Sequence, residues 1–323
     1  MMNQLQKFYK KYYWEIILLI ALIALIVIFG TINPRFLKPN VLFGSINDFM
    51  PIAVISLFVT FVLITGGMDI QAGSIVGLTS ITIGLLWQEV GLNIFVACLL
   101  GLIVGGVCGL FSGSIIANLK VQPMVITLGG SFLFSGLGLA IMSLSSVESY
   151  LGITGFPTAF TGIFKNRIGP IPYQVIFYIL LIILSYFLLH RTKYGRKIFL
   201  VGVNRNTAEL SGINSKRIII STYILSGISA SLAGIILTGY LGTAKADFGA
   251  ELTLPIITAV VLGGTSNTGG KGNIIGTALA TLIIGILRFG LSMNGVSSQY
   301  LDIPVGLLLI VSLIIRNVLK KRR

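Results

Sequence analysis

The chain has 323 residues, of which 55% are hydrophobic and only 10% charged, and its mean hydropathy is +0.97. Soluble domains carry about 25% charged residues, so a soluble fold of this length is excluded. The net charge of +14 does not indicate a nucleic-acid partner, because the basic residues gather at the ends of apolar runs and form no soluble basic face.

The apolar runs have the length that crosses a bilayer as a helix, about 17–25 residues. Ten crossings are predicted, near 14–32, 49–66, 70–87, 93–118, 122–144, 171–190, 217–242, 249–264, 273–293 and 300–317. The first follows Lys7, Lys10 and Lys11. It reads as an uncleaved span, because no small-x-small cleavage site follows it. The second and third are separated by a glycine-rich break holding Gly66, Gly67 and Asp69, followed by Gly73 and Gly77. The fourth carries Gly101, Gly105, Gly109 and Gly113. Their spacing of four aligns them on one helix face, where a second helix can approach closely. That approach is either packing within the chain or a subunit interface. Cys98 and Cys108 share this span, about 15 Å apart along a helix and beyond disulfide reach.

The longest polar stretches are 145–170 and 191–216. The eighth run is the weakest, since Glu251 and Pro255 interrupt it, and it reads as a half-helix or a re-entrant segment. A second break, with Gly263 and Gly264, separates it from the ninth. Its sequence, followed by Gly272 and Gly276, echoes the first break as an internal repeat or as a chance likeness of glycine turns.

Charge orients the chain. With both termini cytoplasmic, 17 of the 23 basic residues fall in inside segments and five outside, with Arg288 inside the ninth span. This is the bias that the positive-inside rule requires. The expected fold is therefore all-α: a polytopic bundle of about ten spans with both ends in the cytoplasm.

The chemistry is sparse. An ionised carboxylate at the bilayer centre costs at least about 2.5–3.5 kcal/mol, so Asp69, Glu251 and Asp302 near helix starts are either dipole partners or, for Asp69, a hinge or pathway residue. Gly66, Gly67, Gly73, Gly263 and Gly264 are hinge or pathway candidates with it. There is one histidine, His190, and no series of buried acids, which argues against a proton-coupled transporter. The nearest likeness to a Walker A loop, residues 263–272, has glycine after Lys271 where a hydroxyl residue is needed. No HExxH, GxSxG or paired histidines occur, so neither an enzyme nor a metal site is expected. Energy must come from outside the chain.

Segment 191–216 has room for one short helix, near Asn206–Leu210, capped by Asn206 or Thr207 and stopped by Gly212. It reads either as a rigid coupling element or as a basic loop resting on anionic lipid.

Four stretches in order resemble the permease subunits of ribose-type ABC sugar importers: GGMDIQAGSIVGL (66–78), GLFSGSIIANLKVQPMVITLGG (109–130), GRKIFLVGVNRNTAELSGINSKR (195–217) and AVVLGGTSNTGGKGNIIGTALATLIIGIL (259–287). Others, including GFPTAFT (155–161) and YLGTAKADFGAELTLPIITAVVLGG (240–264), resemble the branch of that group that imports autoinducer-2, a small polar sugar-like signal. The resemblance implies a single transmembrane permease domain over 1–323 in a bacterial inner membrane, with a cytoplasmic coupling loop at 191–216. It implies a separate ATPase subunit that uses the ATP, a second and non-identical permease subunit, and an extracytoplasmic substrate-binding protein. No cofactor is expected in this chain. Asn204, Ala208, Glu209 and Gly212 would carry ATPase docking, with Gly202 shaping the turn. Ribose or another monosaccharide is the alternative cargo, and a self-sufficient secondary transporter the alternative machine.

Overall fold

A computed structural model describes residues 4–119, 121–148 and 151–321; for 4–11, 313 and 315–321 only the backbone path is described. Lys120, Arg322 and Arg323 of the charge count lie outside the described residues. So do the side chains of Lys7, Lys10, Lys11, Arg316, Lys320 and Lys321.

A chain in lipid must satisfy its own backbone, and helices do so within one segment. Fourteen helices are described. The first six are α1 (Gln4–Ile32), α2 (Pro39–Gly44), α3 (Ile46–Ile64), α4 (Ala72–Gln88), α5 (Ile94–Leu119) and α6 (Pro123–Met142). Next come α7 (Thr158–Lys165), α8 (Tyr173–His190), α9 (Lys193–Val203) and α10 (Arg205–Leu210). The last four are α11 (Ser215–Leu241), α12 (Thr253–Leu262), α13 (Ile274–Met293) and α14 (Asp302–Lys321). A helix stands at every one of the ten expected positions. Seven of them are long and apolar enough to cross a membrane: α1 from Tyr12, α3, α5, α6, α8, α11 and α13. The other three positions hold the shorter apolar helices α4 and α12 and the shorter apolar stretch Ser298–Ser312, which runs into α14.

Helix α3 is the hub. Asn47 and every residue from Phe49 to Ile64 are buried, and α8, α11, α12 and α13 pack around it. The outer helices α1, α5, α6 and α8 turn large apolar side chains outward, among them Ile20, Ile103, Phe132 and Ile183. An apolar outer surface is the reverse of a soluble protein's and suits a hydrocarbon solvent.

The four glycines of α5 face other helices of the same chain. A Cβ at Gly105 would overlap Ser231 Oγ and Gly227 O, and one at Gly109 would overlap Tyr223 O, all on α11. Gly113 also faces α11, at Ile220 and Tyr223, whereas Gly101 faces Ile83 and Thr79 of α4. Hydroxyl pairs bind the same layer: Thr79 with Ser231 at 2.7 Å and Ser80 with Thr238 at 2.7 Å. Cys98 and Cys108 are both free.

The eighth segment differs from a span. Helix α12 has ten residues, about 15 Å, or half the hydrocarbon thickness. Pro255 falls in its first turn, where proline is tolerated. The interruption lies before it, where residues 246–252 form turns. Strand Thr243–Ala244 pairs antiparallel with Ile153–Thr154. The chain then runs beside α4 through successive contacts: Ala244 against Gly84, Phe248 O against Gly77, and Gly249 against Gly73. Thr253 Oγ1 finally donates to Ile70 O at 3.3 Å. From Gly84 to Gly73 this path covers about 16 Å of helix. Glycines at these positions open the groove that holds non-helical chain inside the bundle.

Arg288, alone inside the ninth span, and Asp302, at the start of the tenth, form an ion pair with Arg288 Nη1 donating to Asp302 Oδ1 at 2.7 Å. Asp302→Ala should destabilise the protein more than Arg288→Ala, because a carboxylate can neutralise and a guanidinium cannot. Removing both should recover part of the loss. Thermal unfolding midpoints in detergent check this order; equal losses for the two single variants would refute it.

Candidate functional site

The functional candidates converge where the two glycine-rich breaks meet. The first break, residues 65–71, turns at Gly66, whose φ of +81° favours glycine. Its polar groups are bound by three surrounding helices. Met68 O accepts from Tyr223 OH at 3.1 Å and from Thr127 Oγ1 at 3.2 Å. Asp69 is 1% exposed. Its Oδ2 accepts from Ser226 Oγ at 2.6 Å, and its Oδ1 from Gln71 N at 3.1 Å. Gln71 Oε1 accepts from Ser112 Oγ at 2.6 Å. Asp69 therefore holds the backbone just before α4, through Gln71 N, and at the same time ties the break to α11. Gly67 sits against Tyr223, where a Cβ would lie 2.7 Å from the phenol oxygen, and Gly73 is where the eighth segment crosses α4.

The second break, 263–273, begins with Gly263, which lies against the backbone of Gly276 and Thr277. Gly264 lies against Trp14, whose Nε1 donates to Leu262 O at 2.8 Å. Asn273 caps α13 by accepting from Ile275 N at 3.0 Å, and donates to Glu15. One backbone hydrogen bond joins the second break to the end of α3, where the first break begins: Gly270 N donates to Ile64 O at 2.8 Å.

Segment 191–216 folds as two helices where one was expected. Helix α9 is capped by Thr192, which accepts from Gly195 N at 3.1 Å. Tyr194 ties it to α11, with its hydroxyl 2.7 Å from Ser221 Oγ. Burial pushes the Tyr194 phenol above its ordinary value, and the Ser221 bond partly offsets this. Helix α10 is capped by Asn204, which accepts from Thr207 N at 3.0 Å; the cap thus falls two residues before Asn206. Gly212 ends it at φ +79°, with Gly212 N on Glu209 O and Ile213 N on Ala208 O, both at 3.0 Å, the expected left-handed stop.

Gly202 does not shape a turn. It lies inside α9, where a Cβ would overlap Ile64 O and approach Gly270 N to 2.7 Å. It therefore holds α9 against the hydrogen bond that joins the second break to the end of α3. Asn204 and Glu209 face solvent, whereas Ala208 is 4% exposed and packs inward.

Three features of this region escaped the sequence. Leu210 is 91% exposed at the tip of α10. Arg205 Nη2 donates to Ala117 O at 3.0 Å while its Nε pairs with Glu209 at 3.2 Å, fixing α10 to the end of α5. A cavity of 330 Å³ opens between α10 and the first break, lined by Gly66, Gly67, Arg205, Glu209 and Tyr223 among others. A charge pattern of i, i+4 made Arg205–Glu209 readable in principle; the long-range partner was not. His190 ends α8 against the rings of Tyr186 and Phe199, a packing role. Among the described residues no cluster suits a metal ion.

Comparison with known proteins agrees with this architecture. Residues 41–313 match the family model described as branched-chain amino acid transport system / permease component. The chain is 41% identical to the autoinducer 2 import system permease protein LsrD of Salmonella typhi over 310 residues, covering 96% of this chain and 93% of that one. It is 40% identical to the protein of the same name from Escherichia coli O9:H4 over 308 residues, covering 95% and 93%. No solved structure matches the chain. Helices of membrane-spanning length and a full-length match to transport permeases make this a multi-pass membrane protein, and the chain belongs to the branched-chain amino acid transport system / permease component family.

Proposed function

We propose that this chain is a permease subunit of an ABC importer that carries autoinducer-2 across the bacterial inner membrane. The observation that carries the reading is the 41% identity over 96% of the chain to proteins named for autoinducer-2 import. In this reading the chain crosses the membrane ten times, counting α12 with its non-helical lead as one crossing, and both termini are cytoplasmic. An extracytoplasmic binding protein delivers the ligand. A second, non-identical permease subunit completes the pathway. A separate ATPase subunit uses the ATP, and this chain holds no cofactor.

The ATPase docks on α9 and α10. Asn204, Glu209 and the exposed Leu210 form the contact, and Ala208 and Gly212 fix the shape of the short helix. An exposed leucine on a rigid, doubly capped helix supports this reading, because an apolar tip in water gains free energy when a partner covers it. The test is reconstitution of the four-component complex in liposomes. Autoinducer-2 should stimulate ATP hydrolysis and accumulate inside, and ribose should do neither. Stimulation by ribose alone would replace the cargo. Uptake by this chain alone on an ion gradient would replace the ABC mechanism.

A further inference from the structure

The eighth segment carries an exposed, unpaired carboxylate part-way along α4. Gly77, which receives the carbonyls of Ala246 and Phe248, lies about 7.5 Å from the first residue of α4 and about 16 Å from its last. Asp247, between those two residues, is therefore held well below the outer end of α4. Its side chain is exposed and makes no hydrogen bond or ion pair among the described residues. Beside it is a cavity of 220 Å³, the volume of about seven waters. Its wall is mostly apolar, from Leu139, Phe248 and two alanines, with Ser74 of α4, Ser135 of α6 and Asp247 as its polar side chains. Ser74 Oγ lies 2.8 Å from Ser131 Oγ on α6, so hydroxyls of both helices converge at this wall.

Non-helical backbone at membrane depth is tolerated where it is buried in protein or lines a polar cavity. An unpaired aspartate facing lipid there would be costly. Both features have one explanation if this face meets water and cargo. We propose that the cavity beside residues 246–250 is a cargo-binding station on the transport pathway, and that it takes a small, neutral, polyhydroxylated molecule. The Asp247 carboxylate accepts hydrogen bonds from ligand hydroxyls. Ser74 and Ser135 can donate to or accept from others, and the Phe248 ring covers an apolar C–H face. Among the described residues no cation lines the cavity, so an anionic ligand would meet only the charge of Asp247. Non-helical backbone at a half-helix is a common way for transporters to expose polar groups within the bilayer. The station rests on the permease reading and adds the place and chemistry of binding to it.

Two measurements decide it. In a background with Cys98 and Cys108 replaced, single cysteines at Asp247 and Ser135 are exposed to a charged, membrane-impermeant thiol reagent in open membranes. Both should label at rates within about tenfold of a cysteine at the exposed Glu148, a rate gap near 1.4 kcal/mol in barrier. If both are unreactive, the face is dry and the proposal is overturned, whatever the cargo is. In the reconstituted complex, Asp247→Asn should lower autoinducer-2 uptake at least about tenfold, and Ser135→Ala should lower it less. Glu148→Gln serves as an acid-to-amide control. Normal uptake by Asp247→Asn also overturns the station. Wild-type protein that carries neither autoinducer-2 nor ribose would instead defeat the cargo reading, and the labelling result would still decide whether the cavity is a wet, polar station.

Discussion

Gly109→Ala should remove most of the folded protein from membranes, whereas Gly106→Ala should be harmless. The two glycines are three residues apart on one helix, and both substitutions raise helix propensity by about 1 kcal/mol. They differ only in what a methyl group meets. At Gly109 it would overlap Tyr223 O and lie 2.9 Å from Ile224 Cα, so backbone would have to move. At Gly106 the nearest atom is Ile228 Cγ1 at 3.5 Å, an ordinary contact. Overpacking of a close contact costs about 1–3 kcal/mol when side chains can adjust, and rigid backbone should place Gly109→Ala at or beyond the top of that range. Gly105→Ala offers a further distinction. It overlaps Ser231 Oγ, which can be removed, and Gly227 O, which cannot. Ser231→Gly should therefore restore part of its stability and none of that lost at Gly109. Gly105→Arg should abolish assembly altogether. The readout is the monodisperse fraction of detergent-extracted protein and its thermal midpoint. Wild-type behaviour of Gly109→Ala would mean that α5 and α11 do not touch as described.

The positions of the apolar helices were legible because hydrocarbon length and charge bias act along the chain one segment at a time. Helix α9 was missed because its glycines, Gly195 and Gly202, resemble turn residues. Their use becomes visible only when Leu189 O and Ile64 O are seen lying against them. The α10 cap was misplaced by two residues because Asn204, Asn206 and Thr207 all have capping side chains, and the choice among them depends on where α9 ends. The four-glycine stripe on α5 announced a close approach but not its partner. For Gly105, Gly109 and Gly113 that partner is α11, which lies more than 100 residues later and carries its own matching glycine and serine positions. The eighth segment looked weak because of Glu251 and Pro255. The physical cause was elsewhere, in the glycine groove of α4 that accepts non-helical chain. Asp69 offered two readings, dipole partner and hinge or pathway residue. The structure places its carboxylate on Gln71 N just before α4 and adds Ser226 on α11, a partner that local sequence could not name.

Gly202→Ala should separate ATP hydrolysis from transport without releasing the ATPase. The new methyl group would occupy the position of Ile64 O and crowd Gly270 N, the two atoms of the hydrogen bond that joins the end of α3 to the second break. It leaves the solvent-facing residues Asn204, Glu209 and Leu210 unchanged. Unlike α5 against α11, the eleven-residue α9 has an exposed face at Arg196, Lys197 and Leu200 and can shift outward as a unit, so docking should survive, while a push on α9 would reach the breaks through a displaced contact. Coupling free energies between sites are typically about 1–3 kcal/mol, so molecules moved per ATP should fall roughly 5- to 150-fold. Glu209→Arg makes the opposite separation. It reverses the charge beside Arg205 at the exposed end of α10, so it should weaken ATPase association itself. Co-purification of the ATPase, hydrolysis rate and uptake measured on the same reconstituted samples distinguish the two. If Gly202→Ala kept the wild-type ratio of uptake to hydrolysis, the junction would be a packing contact only, and the force from α10 would have to travel through Arg205 to Ala117 and the end of α5 instead.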